Sequence, residues 1–502
     1  MELHARHRHA REPVTLMTAT QAGVVALTIP QDAVFIGGQW EKVPGESIAV
    51  VNPANGAVMG RVPNADAETG ARAMAAARTA LDDWSARPPA ERADFLDALA
   101  DALEAHGEQL ARLASSEIGM PLAESRAVLA SLPAKVLRST AEIARTFAFE
   151  SRDASGSTIT REAVGVVLGI TPWNFPVHQI IAKLAPALAA GCTLVLKPAE
   201  LTPLNAVFIA RLCEEVSLPP GVVNLVTGTG AETGEALVRG GGYDLVSFTG
   251  SLKIGRHIGA VAGEQVVRAT LELGGKSPAV VLDDADLEAA VRTTVKNCFT
   301  NAGQKCNAPT RLLVPEARRA EAVAIATEAA NAYVLGDPLE DGTTMGPLAS
   351  PVQRDKVLGF LEAARAEGAT VNGGDLVDPN GLFVRPAIVT DVAEDATVVR
   401  EEVFGPVLVV LGHSGEDDAV RLANDSEYGL SAEVWSGDEA RAARLARRIK
   451  AGQVRVNGVR TPPLPISPFG GYKRSGLGRE MGPFALEEFL EVKAILGDPM
   501  PS

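Results

Sequence analysis

The chain has 502 residues, with 62 acidic and 47 basic side chains and a formal net charge of −15. This balance argues against nucleic-acid binding, which needs clustered Lys and Arg. No apolar run approaches the roughly 20 residues that cross a membrane. The four cysteines contain no CxxC pair, which excludes a disulfide framework and a zinc site. We therefore expect no nucleic-acid or membrane partner, no metal, and a reducing, cytoplasmic compartment.

The first 20 residues are basic and contain three histidines, but they lack the apolar stretch of a secretory signal. We interpret residues 1–20 as a flexible basic tail. A metal site at His4, His7 and His9 is the alternative, which we disfavour because nothing nearby completes the ligand set. Residues 64–150 then carry apolar side chains at three- and four-residue spacing, which is typical of helices. Gly119, followed by Pro121, predicts a helix end.

The polar segment 145–163 is rich in Ser and Thr and predicts a surface hairpin. After about residue 160, short runs such as TLVLK at 193–197 alternate with helical patterns. Several of these runs are apolar throughout and do not alternate, which indicates strands that are buried on both faces. Alternating strands and helices of this kind predict parallel sheets in an α/β protein.

The stretch TPWNFPVHQIIAKLAPALAAG at 171–191 predicts a helix that begins near Pro176 and ends at Gly191. Asn174 stands just before this helix. Its amide can donate to an oxyanion that develops in a reaction. The alternative is an ordinary N-terminal cap, and the local sequence leaves both interpretations open.

Several turns that follow strands have the composition of a dinucleotide site. Lys197 and Glu200 follow a buried strand, and ligands collect at the carboxyl ends of parallel strands. The next strand leads into glycines spaced G-x-G-x-x-x-G, one residue longer than the usual Rossmann pattern. The turn SFTGSLKIG adds Gly250 and Gly255. Such turns bind pyrophosphate through backbone N–H groups, but they are also common structural turns.

Two further residues are candidates for chemistry. Glu272, in LELGGKSP, lies between two apolar residues at a strand-like position, where desolvation would raise its pKa and make it a general base. The alternative is a strand-end Glu that reaches solvent. Cys306, in GQKCNAPTR, is either a nucleophile or a small buried hydrophobe. Lys305 could favour its thiolate, although adjacent side chains often point apart. Cys298 lies in a helical pattern and is interpreted as core.

The motifs WNFP, LKPAE, FTGS, LELGGKSP, GQKC, EEVFGP and PFGGYKRSG occur in this order. Together they resemble the NAD(P)-dependent aldehyde dehydrogenase superfamily, from about residue 52 to the C-terminus. In that family the cysteine after GQ is the nucleophile, the Glu of LELGG is the general base and the Asn of WNFP is an oxyanion donor. The matching residues are Cys306, Glu272 and Asn174. Lys183 matches a helix lysine near the active site.

The resemblance also implies NAD as the cofactor, with NADP as the alternative. Lys197 and Glu200 would bind the adenosine ribose, Ser251 the pyrophosphate, and Glu402 the nicotinamide ribose, with Phe404 beside the ring. Glu200 favours NAD, because its charge would repel the 2′-phosphate of NADP. The complete set of implied cofactor residues is Ile170, Thr171, Pro172, Trp173, Lys197, Glu200, Gly230, Gly234, Phe248, Thr249, Gly250, Ser251, Ile254, Leu273, Gly274, Glu402 and Phe404.

The implied fold is α/β, aldehyde-dehydrogenase-like, with two Rossmann-type parallel-sheet domains and a small oligomerisation arm. The expected NAD-binding domain comprises residues 21–144 and 164–271, and the expected catalytic domain comprises residues 272–482. Residues 145–163 and 483–502 would form the arm, which would pair across the subunits of a homodimer or homotetramer.

Three features depart from common members of this family. Lys305 stands where many relatives have a small or apolar residue, Leu252 replaces a frequent Thr, and the loop between Asn457 and Phe469 is proline-rich, with Arg460 as its one charge. The forms GQxCNAPTR and WNFPVHQ also resemble a bacterial branch that acts on aliphatic aldehydes and ω-oxo acids. Arg460 is either a partner for a substrate carboxylate or a solvated loop charge.

The resemblance implies oxidation of an aldehyde to a carboxylic acid through a cysteine thiohemiacetal and a thioester. A CoA-acylating dehydrogenase is one alternative, but that branch generally lacks the base that Glu272 matches. A non-catalytic protein on this fold is another, which the intact catalytic set disfavours. A cofactor-free hydrolase would need a histidine near the cysteine, and the sequence gives no suggestive context to His106, His178, His257 or His413.

Overall fold

The computed structural model describes residues 27–43, 45–458 and 465–497. The predicted tail, and Arg460 in the proline-rich loop, lie outside these ranges. The strands, in chain order, are β1 (Ala33–Ile36), β2 (Gln39–Lys42), β3 (Ser47–Val51), β4 (Val58–Pro63), β5 (Glu150–Arg152), β6 (Thr158–Ala163), β7 (Val166–Ile170), β8 (Thr193–Lys197), β9 (Val223–Leu225), β10 (Leu245–Thr249), β11 (Arg268–Glu272), β12 (Pro278–Val281), β13 (Arg311–Pro315), β14 (Thr370–Gly373), β15 (Ala387–Thr390), β16 (Val407–His413), β17 (Ser431–Trp435), β18 (Gln453–Val456), β19 (Gly476–Leu477) and β20 (Leu490–Ile495).

The helices alternate with these strands through most of the chain. They are α1 (Ala67–Ser85), α2 (Pro89–Ala105), α3 (Gly107–Ile118), α4 (Leu122–Ser125), α5 (Leu132–Thr146), α6 (Pro176–Ala190), α7 (Pro203–Glu215), α8 (Glu235–Gly240), α9 (Leu252–Gln265), α10 (Leu287–Phe299), α11 (Arg319–Asn331), α12 (Pro351–Ala366), α13 (Thr397–Arg400), α14 (Glu416–Asn424), α15 (Glu439–Ala446) and α16 (Gly482–Glu488).

The first large sheet has the strand order β19-β11-β10-β7-β8-β9-β1-β2. Its five inner strands, β11, β10, β7, β8 and β9, run parallel, and the strands at both ends are antiparallel. All five residues of β8 are buried, as the continuous apolar run predicts. One apolar core covers each face of this sheet, with α6 and α7 on one side and α1 and α9 on the other.

The second large sheet has the order β14-β15-β16-β13-β12-β17-β18, parallel except for β14. It has its own apolar core. The expectation of parallel sheets with strands buried on both faces is confirmed. The predicted helix ends are also present, because α3 ends at Gly119 and α6 ends at Gly191, both in the left-handed conformation.

The polar segment near residue 150 forms the expected hairpin. β5 and β6 pair antiparallel, and β20 from the end of the described chain adds a third strand to give the order β20-β6-β5. The short strand β19 lies within the expected catalytic segment but pairs with β11 of the first sheet. The division of the chain into domains and an oligomerisation arm stays a prediction.

Candidate active site

The carboxyl ends of β7, β8, β10 and β11 lie side by side at one edge of the first sheet. Ile170 is in register with Lys197 and with Phe248, and Thr249 is in register with Glu272. Parallel pairing therefore brings together residues that are up to 102 residues apart in the chain, from Ile170 to Glu272. Ligands of open α/β sheets bind at this end of the strands.

A cleft of about 150 Å³ opens at this edge. Nine of the predicted cofactor residues line it together with the three predicted catalytic residues Asn174, Glu272 and Cys306. The nine are Pro172, Trp173, Thr249, Gly250, Ser251, Leu273, Gly274, Glu402 and Phe404. We name this space the cofactor cleft.

The turn from β10 into α9 forms one wall of the cofactor cleft. Ser251 is the N-cap of α9, and its hydroxyl oxygen accepts a hydrogen bond from the Ile254 backbone N–H at 3.4 Å. Helix N-termini carry further backbone N–H groups without an intrahelical partner. This turn is therefore suited to bind an anion such as pyrophosphate.

The remaining predicted cofactor residues lie outside the lining of the cofactor cleft. Lys197 is buried, and its Nζ lies 3.6 Å from the half-exposed Glu200 carboxylate. A Cβ added to Gly234 would approach the Lys197 side chain at 3.9 Å, whereas a Cβ on Gly230 would meet open space. Ile254 is exposed on α9. Ile170 ends β7, Thr171 directly follows it, and Phe248 is the penultimate residue of β10.

Glu402 closes another side of the cofactor cleft. Its Oε1 accepts a hydrogen bond from the Gly275 backbone N–H at 3.0 Å. Gly274 carries no side chain, and a Cβ there would collide with the Glu402 carboxylate. Phe404 has a left-handed backbone (φ 60) and packs edge-on against Trp173, with ring centroids 5.4 Å apart. The first glycine of LELGG, Gly274, is thus needed for the close approach of this carboxylate.

A second and larger cleft, of about 790 Å³, reaches Cys306 from the other side. Cys306 and Gln179 line both spaces. The other lining residues of this second cleft, which we name the substrate cleft, include Phe175, His178, Lys305, Trp435, Arg455 and Phe469. The sulfur therefore stands where two separate approaches meet.

The loop before Cys306 has an unusual backbone. Asn301, Ala302 and Gly303 follow the end of α10 and are all left-handed, with φ values of 53, 52 and 72. A Cβ on Gly303 would collide with the carbonyl of Gly405. Non-glycine residues in this region cost free energy and persist where the surroundings hold them. The loop is a shaped turn that presents Cys306, not a continuation of the helix.

Hydrogen bonds connect this loop to the WNFP motif. The Asn174 Nδ2 donates to the Gln304 carbonyl at 3.0 Å, and the Asn301 Nδ2 donates to the Asn174 carbonyl at 2.9 Å. The N-cap of α6 is Phe175, with no side-chain cap, so the capping alternative for Asn174 is wrong. A side-chain amide carries two N–H donors, which leaves one for an oxyanion near Cys306.

The protonation of Cys306 depends on its surroundings. Burial, together with the nearby carboxylates of Glu402 and Glu272, raises the pKa of its thiol to about 12, although the charge of Lys305 acts to lower it. Cys298 is fully buried, which confirms its interpretation as core. Cys306 is half-buried and faces both clefts, so the interpretation of this thiol as a core residue is wrong.

Glu272 ends β11 and is only 4% exposed. Within the described chain, neither of its carboxylate oxygens has a hydrogen-bond partner. Burial raises its pKa well above the ordinary value, and the nearby Glu480 raises it further. The alternative of a strand-end carboxylate in solvent is wrong. An unpartnered buried carboxylate in the cleft of the sulfur is a good proton acceptor.

Lys183 lies behind this carboxylate and outside the lining of either cleft. Its ammonium donates to Thr249 Oγ1 at 2.8 Å and to Glu480 Oε1 at 2.9 Å. The Lys183–Glu480 ion pair is buried and joins α6 to the segment before α16. Lys183 therefore supports the site through its neighbours in this structure.

Several lining residues escaped the sequence interpretation. Gln353 and Lys356 of α12 line the cofactor cleft, and Gln353 Nε2 donates to the Phe404 carbonyl at 2.7 Å. Gln179 and His178 lie on the first turn of α6. We expected no suggestive context for His178, and that is wrong, because it lines the substrate cleft with Cys306. Helix periodicity does not reveal which side chains of a helix face a cleft between distant segments.

Two negative findings apply to residues 27–43, 45–458 and 465–497. No group of three or more His, Cys, Asp or Glu side chains is arranged to hold a metal ion there. No helix in those ranges has both the length and the apolar character to cross a membrane.

This combination of fold and site defines a class of enzyme, and comparison with known proteins identifies the same class. The sequence matches the aldehyde dehydrogenase family over residues 40–495. The chain belongs to this family, and its fold is the aldehyde dehydrogenase fold.

Individual relatives share much of the sequence. A 3-succinoylsemialdehyde-pyridine dehydrogenase from a Pseudomonas species is 42% identical over 92% of this chain and 98% of its own length. A geranial dehydrogenase from Castellaniella defragrans is 41% identical over 93% and 99%. A mutant of aldehyde dehydrogenase C from Pseudomonas syringae, solved with NAD+ and octanal, is 41% identical, with a TM-score of 0.91 and coverage of 94% and 98%.

Proposed function

We propose that this enzyme oxidises an aliphatic aldehyde or ω-oxo acid to a carboxylic acid with NAD, through a thioester on Cys306. The observation that carries the proposal is the meeting of the two clefts at Cys306, with Asn174 and Glu272 in the cofactor cleft. One approach suits a dinucleotide and the other suits the aldehyde. Relatives solved with NAD+ support the cofactor.

The residues of the cofactor cleft fit a dinucleotide. The capped N-terminus of α9 is suited to the pyrophosphate, Glu402 to a ribose, and Trp173 and Phe404 form an aromatic wall for a planar ring. The half-exposed Glu200 carboxylate beside Lys197 is suited to two ribose hydroxyls. A 2′-phosphate would lie against the Glu200 charge, which favours NAD over NADP.

The chain's own groups account for the chemistry on the aldehyde. The Cys306 thiolate attacks the carbonyl carbon, and the free N–H of Asn174 with the Cys306 backbone N–H stabilises the oxyanion, each donor contributing about 2.7–4 kcal/mol. A bound NAD would supply the acceptor for the hydride that leaves this carbon. The thioester then remains on Cys306. Glu272 takes a proton from water as the water attacks the thioester, and the acid and the thiolate separate.

The alternatives predict other products. A CoA-acylating enzyme would release an acyl-CoA, but the buried and unpartnered Glu272 is suited to activate water. A cofactor-free hydrolase gains some support from His178 in the substrate cleft. A hydrolase, however, would have no use for the cofactor cleft, whereas an enzyme of the aldehyde dehydrogenase family would.

An aldehyde panel with NAD and with NADP tests the proposal. We expect NADH absorbance to rise with at least one aliphatic aldehyde, the product to be the free acid by mass spectrometry, and kcat/KM to be higher with NAD. Product acyl-CoA that forms only with added CoA would overturn the hydrolytic step. No reduced cofactor with any aldehyde would overturn the proposal.

Assembly and location remain proposals as well. The exposed side chains of Val492 and Ile495 on the edge strand β20 support pairing of the arm across a homodimer or homotetramer. The four cysteines are free thiols, which suits a reducing cytoplasmic compartment. The division at residue 272 follows the two large sheets, apart from β19.

A further inference from the structure

The charged side chains along the described lining of the substrate cleft are all cationic. Four of them line it, and no Asp or Glu does so among the residues that the structure describes. The four are Lys135, Lys296, Lys305 and Arg455. This contrasts with the whole chain, in which acidic residues are in excess. Clustered charge of one sign in a cleft attracts ligands of the opposite sign.

Depth separates these cations into two pairs. Lys135 and Lys296 are exposed, on α5 and α10, and stand at the mouth. Lys305 and Arg455 are half-buried and stand further in, and Lys305 precedes the nucleophile in the chain. A charged ligand would therefore pass the outer pair before it reaches the inner pair.

The inner cations lack hydrogen-bond partners among the described residues. The described chain offers Lys305 no carboxylate within ion-pair distance, although the charges of Glu124 and Glu433 act on it from further away. Arg455 lies 3.9 Å from Glu433, at the limit of an ion pair, and that carboxylate already accepts a bond from Asn297 at 2.9 Å. Partly buried cations without close partners are costly unless a ligand supplies the counter-charge.

We propose that the substrate cleft selects aldehydes with a carboxylate at the end remote from the carbonyl, and that Lys305 is the specificity-determining residue that binds this carboxylate. Arg455 supports the same anion, and Lys296 and Lys135 attract it to the mouth. The inference rests on the proposed oxidation of aldehydes at Cys306. It names the substrate class of that reaction.

A competing role for Lys305 is to favour the thiolate of its neighbour, because its charge lowers the pKa of Cys306. That role would serve every aldehyde equally. Carboxylate binding serves only the anionic aldehydes. The ratio of kcat/KM between matched charged and uncharged aldehydes therefore separates the two roles, since any effect on the sulfur cancels.

The experiment uses two matched pairs, succinic semialdehyde with its methyl ester and adipic semialdehyde with its methyl ester. Wild type, Lys305→Met, Lys305→Arg and Lys42→Met are compared with NAD. Lys42 is an exposed lysine on β2, outside both clefts. We expect wild type to prefer at least one free acid, Lys305→Met to lower that preference by about tenfold to a hundredfold, and Lys305→Arg and Lys42→Met to keep most of it.

The two proposals fail in different ways. An unchanged ratio of kcat/KM between acids and esters in Lys305→Met can arise because no rate changes or because all rates fall equally. Either result would overturn the assignment of Lys305 and leave the oxidation of aldehydes intact. If wild type oxidised none of the four compounds, and no aldehyde of the wider panel, the proposed function would fail first. Oxidation of other aldehydes, but of neither semialdehyde, would overturn the selection of anions. A wild-type preference for both esters would overturn the selection of anions.

Discussion

At the scale of a single residue, Glu272 has three properties that the base of the deacylation step needs. It is buried, it has no hydrogen-bond partner in the described chain, and its pKa is raised. Its pKa is raised towards the range in which a carboxylate accepts a proton from water most effectively. Lys183 forms a buried ion pair with Glu480, and its charge acts against the rise that burial and Glu480 cause in the pKa of Glu272.

We predict that Glu272→Gln retains one burst of NADH and loses steady-state turnover by about 10²–10⁴-fold. The amide has nearly the same shape but cannot take the proton from water. Rapid-mixing absorbance measures the burst, and mass spectrometry of acid-quenched enzyme should find an acyl group on the peptide that contains Cys306. A steady-state rate equal to that of wild type would show that another group activates the water.

The reactivity of Cys306 in the free enzyme should depend steeply on pH. Its pKa of about 12 means that the thiolate is the minor form throughout the neutral range. The rate of alkylation by iodoacetamide should therefore rise about tenfold per pH unit between pH 7 and pH 10, whereas an ordinary thiol of pKa ~8.5 would level off near pH 9.

Glu402→Gln provides the matched variant for this measurement. Removal of a carboxylate that raises the pKa of Cys306 should speed alkylation at a fixed pH of about 8. A Cys306→Ser variant lacks this sulfur, so the difference between its alkylation and that of wild type belongs to Cys306. A plateau of the alkylation rate near pH 8 in the wild-type enzyme would contradict a Cys306 pKa that is raised by burial.

The turn that presents Cys306 is the element on which the site depends most. Gly303 is left-handed, and a Cβ there would meet the Gly405 carbonyl. We predict that Gly303→Ala destabilises the fold by about 1–3 kcal/mol and lowers kcat, because the loop must shift. Thermal unfolding and steady-state kinetics measure both effects.

Gly359 gives a matched Gly→Ala control. It lies within α12, and a Cβ there would meet open space. Gly359→Ala should keep kcat and stabilise the helix by up to about 1 kcal/mol. If the two substitutions behaved alike, the special conformation of the Cys306 loop would not matter for function.

The local sequence predicted those helices and strands whose pattern of residues lies within one continuous stretch of the chain. The apolar runs of β8 and β16 specified buried parallel strands, and Gly119 and Gly191 specified helix ends. The order of motifs predicted the catalytic set. Without that order of motifs, the role of Cys306 was ambiguous, because its local sequence also fits a buried thiol.

Contacts between distant segments could not be predicted in the same way. Nothing near Lys183 signals its ion pair with Glu480, which lies 297 residues further along the chain. The same holds for Gln353, which fixes the backbone of Phe404 from α12, and for His178 at the substrate cleft. These contacts join segments that are far apart in the chain, and no periodicity encodes that arrangement.

At the scale of the whole molecule, β20 lies at an open edge of the three-stranded sheet among the described strands. Val492, Ile495 and Leu496 are exposed there, at 65%, 40% and 80%. Exposed apolar edge strands tend to pair with another chain. We predict a homodimer or homotetramer by sedimentation velocity.

Val492→Lys should shift the oligomeric state towards monomer. Val377→Lys, at an exposed valine outside the three-stranded sheet, should not. A wild-type monomer would contradict the role of the arm.

The sulfur of Cys306 links both clefts, and its removal tests the account most directly. NADH formation from NAD and an oxidisable aldehyde should fall to background in Cys306→Ala, while Cys298→Ala, which removes a buried thiol, should retain turnover if it folds. Turnover in Cys306→Ala at the wild-type rate would show that the chemistry takes place elsewhere in the molecule.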